Sequence, residues 1–353
     1  MVRKFDRKEL LELYEAPLQE LQAASSFVRK NRNGDHLWYN RNFHLEPSNI
    51  CSHRCRFCSY RRDDASQPGA WSMGLDEILP YCESKFEPGM TEIHIVGSVH
   101  PDKTFDYYRQ IVELVHGFAQ EHVTPDLPVT VKAYTAVEID DMCRYNHLTV
   151  EDCLTQLKAA GLQTMPGGGA EIFSPTVRAQ ICPDKCSGER WLDIHRTAHR
   201  MGIPTNCTML FGHMESREDR IDHLLALRAL QEETGGFNAF IPLKFRARDN
   251  LLSGLGEVSD EEVLRTFAIA RLALDNIPHI KAYWPMLGKN LAFEAMAWGA
   301  DDLDGTINDS TRIYSLAGAE DQRPTLTVAE LQARATAAGW KAVERDSFYK
   351  IIS

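Results

Sequence analysis

The hydrophobic pattern changes period repeatedly along the chain. Short runs rich in β-branched and aromatic residues alternate with longer stretches whose apolar positions recur every three or four residues. The β-like runs are residues 92–96 (Glu-Ile-His-Ile-Val), 129–135 (Val-Thr-Val-Lys-Ala-Tyr-Thr), 208–211, 239–245 and 279–284. The helices between them have readable ends. Thr149 is placed to cap a helix running to Ala160, with Asp152 in its first turn and Gly161 just past its end. Ser259 and Glu262 have capping-box spacing, and Val263, Phe267, Ala270 and Leu274 follow as an apolar stripe. A further helix from about Asp219 ends at Gly235-Gly236, another covers 191–201, and residues 1–24 read as an amphipathic helix. No repeat, low-complexity tract or Pro/Gly/Ser-rich linker divides the chain. Strands alternating with helices specify βα units and a parallel sheet. The number of units in one undivided chain favours an α/β fold closed into a (β/α) barrel over an open sheet. In such barrels functional groups collect at the C-terminal ends of the strands.

Composition narrows this picture. At 353 residues, 43% hydrophobic and 25% charged, the chain can fill one large core or two ordinary ones. No run of eighteen apolar residues occurs, so no membrane span is expected, and residues 1–24 lack the apolar stretch of a signal peptide. Nine cysteines, an odd number and unpatterned outside one trio, fit a reducing cytoplasmic setting. A net charge of −11 argues against nucleic acid as partner, since phosphate binding needs a basic face. A small anionic ligand remains compatible, because local lysines and arginines decide that.

The chemistry concentrates in residues 49–60, Asn-Ile-Cys-Ser-His-Arg-Cys-Arg-Phe-Cys-Ser-Tyr. Cys51, Cys55 and Cys58 have Cys-x3-Cys-x2-Cys spacing, which lets a short loop curl three thiolates around one face of a cubane cluster. Three ligands for four irons leave one iron open to a small molecule. A structural zinc site asks for four closed ligands, and no fourth cysteine or histidine falls at the usual distance after Cys58. Cys182 and Cys186 also resemble half of a metal loop, without partners to complete it. His195 and His199 share one helix face but lack an intervening acid of the His-Glu-x-x-His kind, which favours packing.

The trio, with the aromatic Phe57 before its last cysteine, resembles the signature of the radical S-adenosylmethionine (SAM) enzymes. The resemblance implies a [4Fe-4S] cluster on Cys51, Cys55 and Cys58, with SAM chelating the open iron and yielding a 5′-deoxyadenosyl radical. It also implies a TIM-type (β/α) barrel over residues 41–310, an N-terminal helical extension over 1–40 and a C-terminal cap over 311–353. Radical chemistry of this kind belongs to the cofactor, while the protein binds and orients.

Further candidates stand at strand ends. Gly97-Ser98 occupies the place where such enzymes carry a glycine turn against the methionine end of SAM. Gly167-Gly-Gly169-Ala-Glu171 would let backbone approach a ligand closely and presents a carboxylate to sugar hydroxyls or an ammonium. Residues 208–215 end a strand with Gly212, His213 and Glu215, and in the resembling barrels this segment packs on adenine. His213 is read either as a proton shuttle or as a structural donor. Lys132, Lys244 and Lys281 sit inside apolar strands and need partners, either a substrate carboxylate or an internal acid such as Glu138 or Asp302. Arg178 and Lys185 are placed to meet an anion after the glycine loop. The candidate cofactor contacts are therefore Phe57, Tyr60, Gly97, Ser98, Gly168, Gly169, Glu171, Gly212 and Glu215. The candidate catalytic residues are His213, Lys244, Lys281, Tyr283 and Asp302.

Longer motifs sharpen the resemblance. Trp191-Leu-x-Ile-His195-Arg-x-Ala-His199, Gln231-x-x-Thr-Gly-Gly-Phe237, Phe240-Ile-Pro-Leu-x-Phe245, Leu274-Asp-Asn-Ile-Pro-His-Ile-Lys-Ala-Tyr-Trp284 and Asp301-Asp-Leu-Asp-Gly-Thr306 are similar to the aminofutalosine synthases of menaquinone biosynthesis. Asn308-Asp-Ser310 departs from that pattern, which usually has a pair of glutamates there. The resemblance implies addition of the adenosyl radical to 3-[(1-carboxyvinyl)oxy]benzoate, rearrangement and loss of a carboxylate, giving 6-amino-6-deoxyfutalosine and methionine. Reduced flavodoxin or ferredoxin is the implied electron donor. The sister dehypoxanthine futalosine cyclases share the cysteines and barrel, and an electron carrier or zinc module is the reading from a different class.

Overall fold

The computed structural model describes residues 4–306 and 325–352. The departure at 308–310 therefore lies outside the described residues. Among them, the strands are β1 (His36–Leu45), β2 (Glu92–Ile95), β3 (Thr130–Ala133), β4 (Thr205–Phe211), β5 (Phe237–Lys244), β6 (His279–Ile280), β7 (Asp302–Thr306) and β8 (Lys341–Glu344). The helices are α1 (Arg7–Glu12), α2 (Leu18–Asn33), α3 (Leu75–Lys85), α4 (Phe105–His122), α5 (Ala136–Asn146), α6 (Val150–Ala160) and α7 (Pro175–Ile181). They continue with α8 (Gly188–Arg200), α9 (Arg217–Thr234), α10 (Asp260–Ala273), α11 (Trp284–Leu287), α12 (Lys289–Ala295) and α13 (Val328–Ala337).

All strand pairings in the ring are parallel. One arc runs β3-β2-β1-β7 and the other β4-β5-β6. Two short junctions join the arcs into a barrel. Thr164 and Met165 lie between β3 and β4: the Ala133 N–H donates to the Thr164 carbonyl at 3.1 Å, and the Asn206 N–H to that of Met165 at 3.0 Å. On the other side Lys281 bridges Asp302, with the Ala282 N–H donating to the Asp302 carbonyl at 2.8 Å. A strand of two residues sufficed here because neighbours on both sides supply its backbone partners.

Alternation along the strands divides lumen from mantle. On β1, Leu37, Tyr39, Phe43 and Leu45 are buried outward-side hydrophobics, while Asn40, Asn42 and His44 are buried polar residues on the opposite face. Ile93, Ile95, Val131 and Ala133 continue the apolar layer, against which Ile111, Val112 and Val115 of α4 pack. Helix ends follow the local sequence. The Thr149 hydroxyl caps α6 and Gly161 ends it at φ 115°; Ser259 caps α10; Gly235 ends α9 at φ 66°.

The N-terminal segment differs from the single helix expected over 1–24. It is broken between α1 and α2 at Pro17, which lacks the N–H needed to continue a helix, and α2 extends to Asn33. α2 lies across α10, so every residue from Val263 to Ala273 is buried. The chain enters the barrel at His36, so the expected boundary at residue 40 falls inside β1.

The far end of the chain closes the N-terminal mouth of the barrel. β8 pairs in parallel with residues His36 to Tyr39 of β1. Beyond it, Arg345 Nε donates to Asp302 Oδ2 at 2.6 Å, Ser347 Oγ to Glu92 Oε2 at 2.6 Å, and the Tyr349 ring stacks on His279 at 3.6 Å. No helix among the described residues is long and apolar enough to cross a membrane.

Candidate active site

The loop from β1 to α3 carries the three cysteines and is fixed from several directions. The Cys51 N–H donates to the Arg62 carbonyl at 3.0 Å and the Arg62 N–H returns to the Asn49 carbonyl at 2.8 Å. The Asn49 side chain holds the Gly69 carbonyl and the Trp71 N–H, and Tyr60 donates its hydroxyl to the Ser48 carbonyl at 3.1 Å. Ser98 Oγ reaches the Ile50 carbonyl at 2.6 Å, and the Ser52 N–H the Val99 carbonyl at 2.8 Å. Thus the turn after β2 is bound to the cysteine loop itself.

Cys51, Cys55 and Cys58 lie at one end of a cavity of about 340 Å³ that fills the barrel lumen. None of the nine cysteines is in a disulfide. Burial pushes the Cys51 and Cys55 thiols up, so metal must displace protons to bind there. Among the described residues no three ligating side chains converge on a single ion, as structural zinc would require. A cubane makes a different demand, since each thiolate caps its own iron. Free thiols on an anchored loop beside a cavity of ligand size fit a [4Fe-4S] cluster with an open coordination site.

The glycine run borders the same cavity, and its conformation explains its composition. A Cβ on Gly167 would lie 2.5 Å from Cys207 Cα, and Gly169 sits at φ 82° with its Cβ position 2.5 Å from Val137. We expect Gly167→Ala to displace this loop, because the obstructing atoms are backbone. The loss should be in the range of overpacked cores, about 1–3 kcal/mol, read by denaturant unfolding together with weakened SAM binding.

The β1–β3 side of the lumen is polar, and the β4–β6 side mixes apolar side chains with Asn206, Thr208 and Lys244. Strand pairing sets His44 beside His94 and His94 beside Lys132, and the two imidazole rings are 4.8 Å apart. Burial holds His44 down at about 4 and drives His94 well below its ordinary range, with His44 adding to the effect. Glu92 is ion-paired to Lys132; burial opposes its charge, but Lys132 and Lys281 outweigh that and hold its carboxyl well below the usual range. Lys281 Nζ lies 2.5 Å from Asp304 Oδ1. Ile241, Leu243, Tyr283 and Met286 line the other wall.

The expected residues fall into two groups. Phe57, Tyr60, Gly97, Ser98, Gly168, Gly169, Glu171, Lys244 and Tyr283 line the cavity with the cysteines. Gly212, His213, Glu215, Lys281 and Asp302 are outside that lining. Glu215 is occupied in holding its own turn: it accepts from the Gly212 N–H at 2.6 Å, the His213 N–H at 2.9 Å and Arg220 Nε at 2.7 Å. His213 accepts the Met214 N–H on Nδ1 at 2.7 Å and donates from Nε2 to the Leu210 carbonyl at 3.1 Å. Burial lowers its pKa. Asp302 faces Arg345 at the barrel floor, and Lys281 is met by Asp304 rather than by Asp302's carboxylate. Lys132 is met by Glu92 rather than Glu138. Lys244 Nζ lies 3.4 Å from Glu257. His195 and His199 both reach Thr205 Oγ1, at 2.8 and 2.9 Å, and so pack as expected.

His44, His94, Glu92, Glu138 and Asp304 line the lumen without having been singled out as site residues. The alternation of buried polar with apolar positions on β1 is the signal that finds His44. Glu138 accepts the Thr135 N–H at 2.7 Å, and burial raises its pKa to about 7. A carboxyl raised on folding stabilises below its unfolded pKa and loses that contribution as pH rises through the folded one. Glu138→Gln is therefore expected to gain on the parent between pH about 4.5 and 7, by roughly 1–3 kcal/mol, in denaturant midpoints measured across that range.

Comparison with known proteins places the chain. The model of the radical SAM superfamily matches residues 45–227, and that of the CofH/MqnC C-terminal region matches 234–353. The chain belongs to the radical SAM superfamily. As a radical SAM enzyme it is expected to carry a [4Fe-4S] cluster and to bind SAM. It is 42% identical to the aminodeoxyfutalosine synthase of Thermus thermophilus, covering 95% of this chain and 88% of that one. It is 37% identical to a Methanopyrus kandleri protein, 5-amino-6-(D-ribitylamino)uracil–L-tyrosine 4-hydroxyphenyl transferase, covering 90% and 85%. The crystal structure of methylornithine synthase shares the fold, with a TM-score of 0.75 at 15% identity over 96% of this chain and 94% of that one.

Proposed function

We propose that this radical SAM enzyme is an aminofutalosine synthase of menaquinone biosynthesis. The net reaction joins the 5′-deoxyadenosyl group of SAM to 3-[(1-carboxyvinyl)oxy]benzoate, with rearrangement and loss of one carboxylate, and gives 6-amino-6-deoxyfutalosine and methionine. The observation that carries this reading is the 42% identity to the Thermus synthase over 95% of the chain. The divided lumen supports it, because the substrate is an arene bearing carboxylates.

Bound at the three cysteines and along the glycine loop, the cluster and SAM supply a 5′-deoxyadenosyl radical. The residues of the chain position what that radical meets. Ile241, Leu243, Tyr283 and Met286 offer an apolar face to the arene. His44, His94 and the Lys132–Glu92 pair form the polar side opposite, where imidazole N–H groups and the Lys132 ammonium shared with Glu92 can meet a carboxylate. Gly168, Gly169, Glu171, Gly97, Ser98, Phe57 and Tyr60 border the cysteine end, on the side assigned to SAM. The plug of Arg345, Ser347 and Tyr349 shuts the opposite mouth against water. Reduced flavodoxin or ferredoxin in the cytoplasm is the proposed source of the electron.

The test is anaerobic incubation of reconstituted enzyme with dithionite, SAM and 3-[(1-carboxyvinyl)oxy]benzoate, followed by mass spectrometry. Formation of 6-amino-6-deoxyfutalosine is expected. Methionine without an adenosylated product counts against the reading. Parallel incubations with dehypoxanthinylfutalosine, and with tyrosine plus 5-amino-6-(D-ribitylamino)uracil, should give no turnover.

A further inference from the structure

The cysteine loop is clasped by the end of α7 and the segment that follows it. The Arg54 N–H donates to Asp184 Oδ2 at 2.7 Å and the Arg56 N–H to the Ile181 carbonyl at 2.8 Å. From the same segment Lys185 reaches inward. Its ammonium is ion-paired with Glu171 Oε1 and stands 5.4 Å from the centroid of the Phe57 ring, between Cys55 and Cys58 in sequence. Both partners of the pair line the cavity and both are largely withdrawn from solvent, with side chains 14% and 8% exposed. Glu171 holds its place at φ 47°, a left-handed conformation disfavoured for a side chain of its size. Arg178 secures the arrangement from behind, donating to the Ala170 carbonyl at 2.5 Å and to that of Cys186.

We propose that Lys185 is a tuning residue for the iron–sulfur cluster: Glu171 holds its ammonium beside the Cys55–Cys58 turn, where it favours the reduced state of the cluster. A loop-to-loop fastening would need only the backbone bonds of Arg54 and Arg56 and the Arg178 clamp. The ammonium adds a fixed charge at Phe57, inside the Cys55–Cys58 turn, on the cavity the three cysteines line. A cluster on three thiolates becomes more negative on gaining an electron, and its potential follows local charge and solvent access. In a site shielded from water the charges of Lys185 and Glu171 are weakly screened, so removing either one changes the field at the cysteine turn. The inference concerns the cluster alone. It survives if the substrate proves to be another molecule, and it can fail while the proposed synthase activity stands.

The measurement is an EPR-monitored redox titration of anaerobically reconstituted holoenzyme, without SAM. Lys185→Met is expected to move the cluster midpoint to more negative potential, and Lys185→Arg to leave it near the parent. Glu171→Gln removes the neighbouring anion and should move the midpoint the opposite way, to more positive potential. Iron content per chain verifies that each variant holds its cluster. If Lys185→Met does not, the sign of the Glu171→Gln shift decides. An unchanged midpoint, or a negative shift in Glu171→Gln, overturns the proposal.

Discussion

Replacing Cys55 with alanine is expected to abolish product formation while leaving a cooperatively folded barrel. Cys55 is 8% exposed and belongs to the loop between β1 and α3, outside the strands and helices that build the barrel. Loss of one buried sulfur there costs roughly 1 kcal/mol, against a domain core built elsewhere. The consequence for chemistry is of another order. Two thiolates cannot hold the cubane as three do, so iron per chain should fall and turnover should reach background. Unfolding curves compared between metal-free parent and metal-free variant separate the two effects. Retained turnover in reconstituted Cys55→Ala protein would refute the role assigned to the loop.

The second large effect is expected at the closed end of the barrel. Asp302 and Arg345 form a buried ion pair at 2.6 Å, with side chains 0% and 1% exposed. Burial alone opposes the charge on Asp302, yet Arg345 and Lys281 outweigh it and hold that carboxyl well below the usual range. Asp302→Asn keeps the shape and strands the guanidinium without a counter-charge. Breaking such a pair on one side costs about 3–5 kcal/mol. A double variant, Asp302→Leu with Arg345→Met, should recover much of the loss, because it removes both charges together. The pH dependence has a definite sign. A depressed carboxyl contributes stability above its unfolded pKa and loses it as pH falls toward the folded one. The gap between parent and Asp302→Asn should therefore narrow below pH about 4. A loss under about 1 kcal/mol for the single variant would mean that solvent or a relaxed Arg345 screens the site.

Much of the architecture was legible because it rests on local rules. The periodicity of residues 92–96 and 129–135, the Thr149 cap and the Gly235 terminus each involve residues within a few positions of one another. The cysteine trio was legible because cluster ligation imposes a spacing. What escaped depended on neighbours distant in sequence. β1 carries Asn40, Asn42 and His44 on its inner face, so its pattern reads as polar, and a strand was not anticipated there. Thr164 and Met165 form a barrel staple too short to have a period, defined only by Ala133 and Asn206 on either side. The partners of the lumen lysines were also set by the ring closing. Lys132 meets Glu92 across adjacent strands, and Lys281 meets Asp304 because β6 and β7 come together. No spacing in the chain announces that Arg345 will take Asp302.

The glycine loop joins both kinds of information. Its composition announced a close approach, and the structure supplies the reason: Cys207 and Val137 occupy the space a side chain would need. Glu171, expected to receive sugar hydroxyls or an ammonium, is met within the chain by the ammonium of Lys185.

The most direct measurement is the EPR spectrum of the dithionite-reduced, anaerobically reconstituted protein before and after SAM is added. The expected result is a [4Fe-4S]⁺ signal from about four irons per chain that changes on adding SAM and is absent from Cys51→Ala, Cys55→Ala and Cys58→Ala. A protein that binds zinc and no iron, or a cluster whose signal is indifferent to SAM, would contradict a three-thiolate centre with one iron open to the lumen.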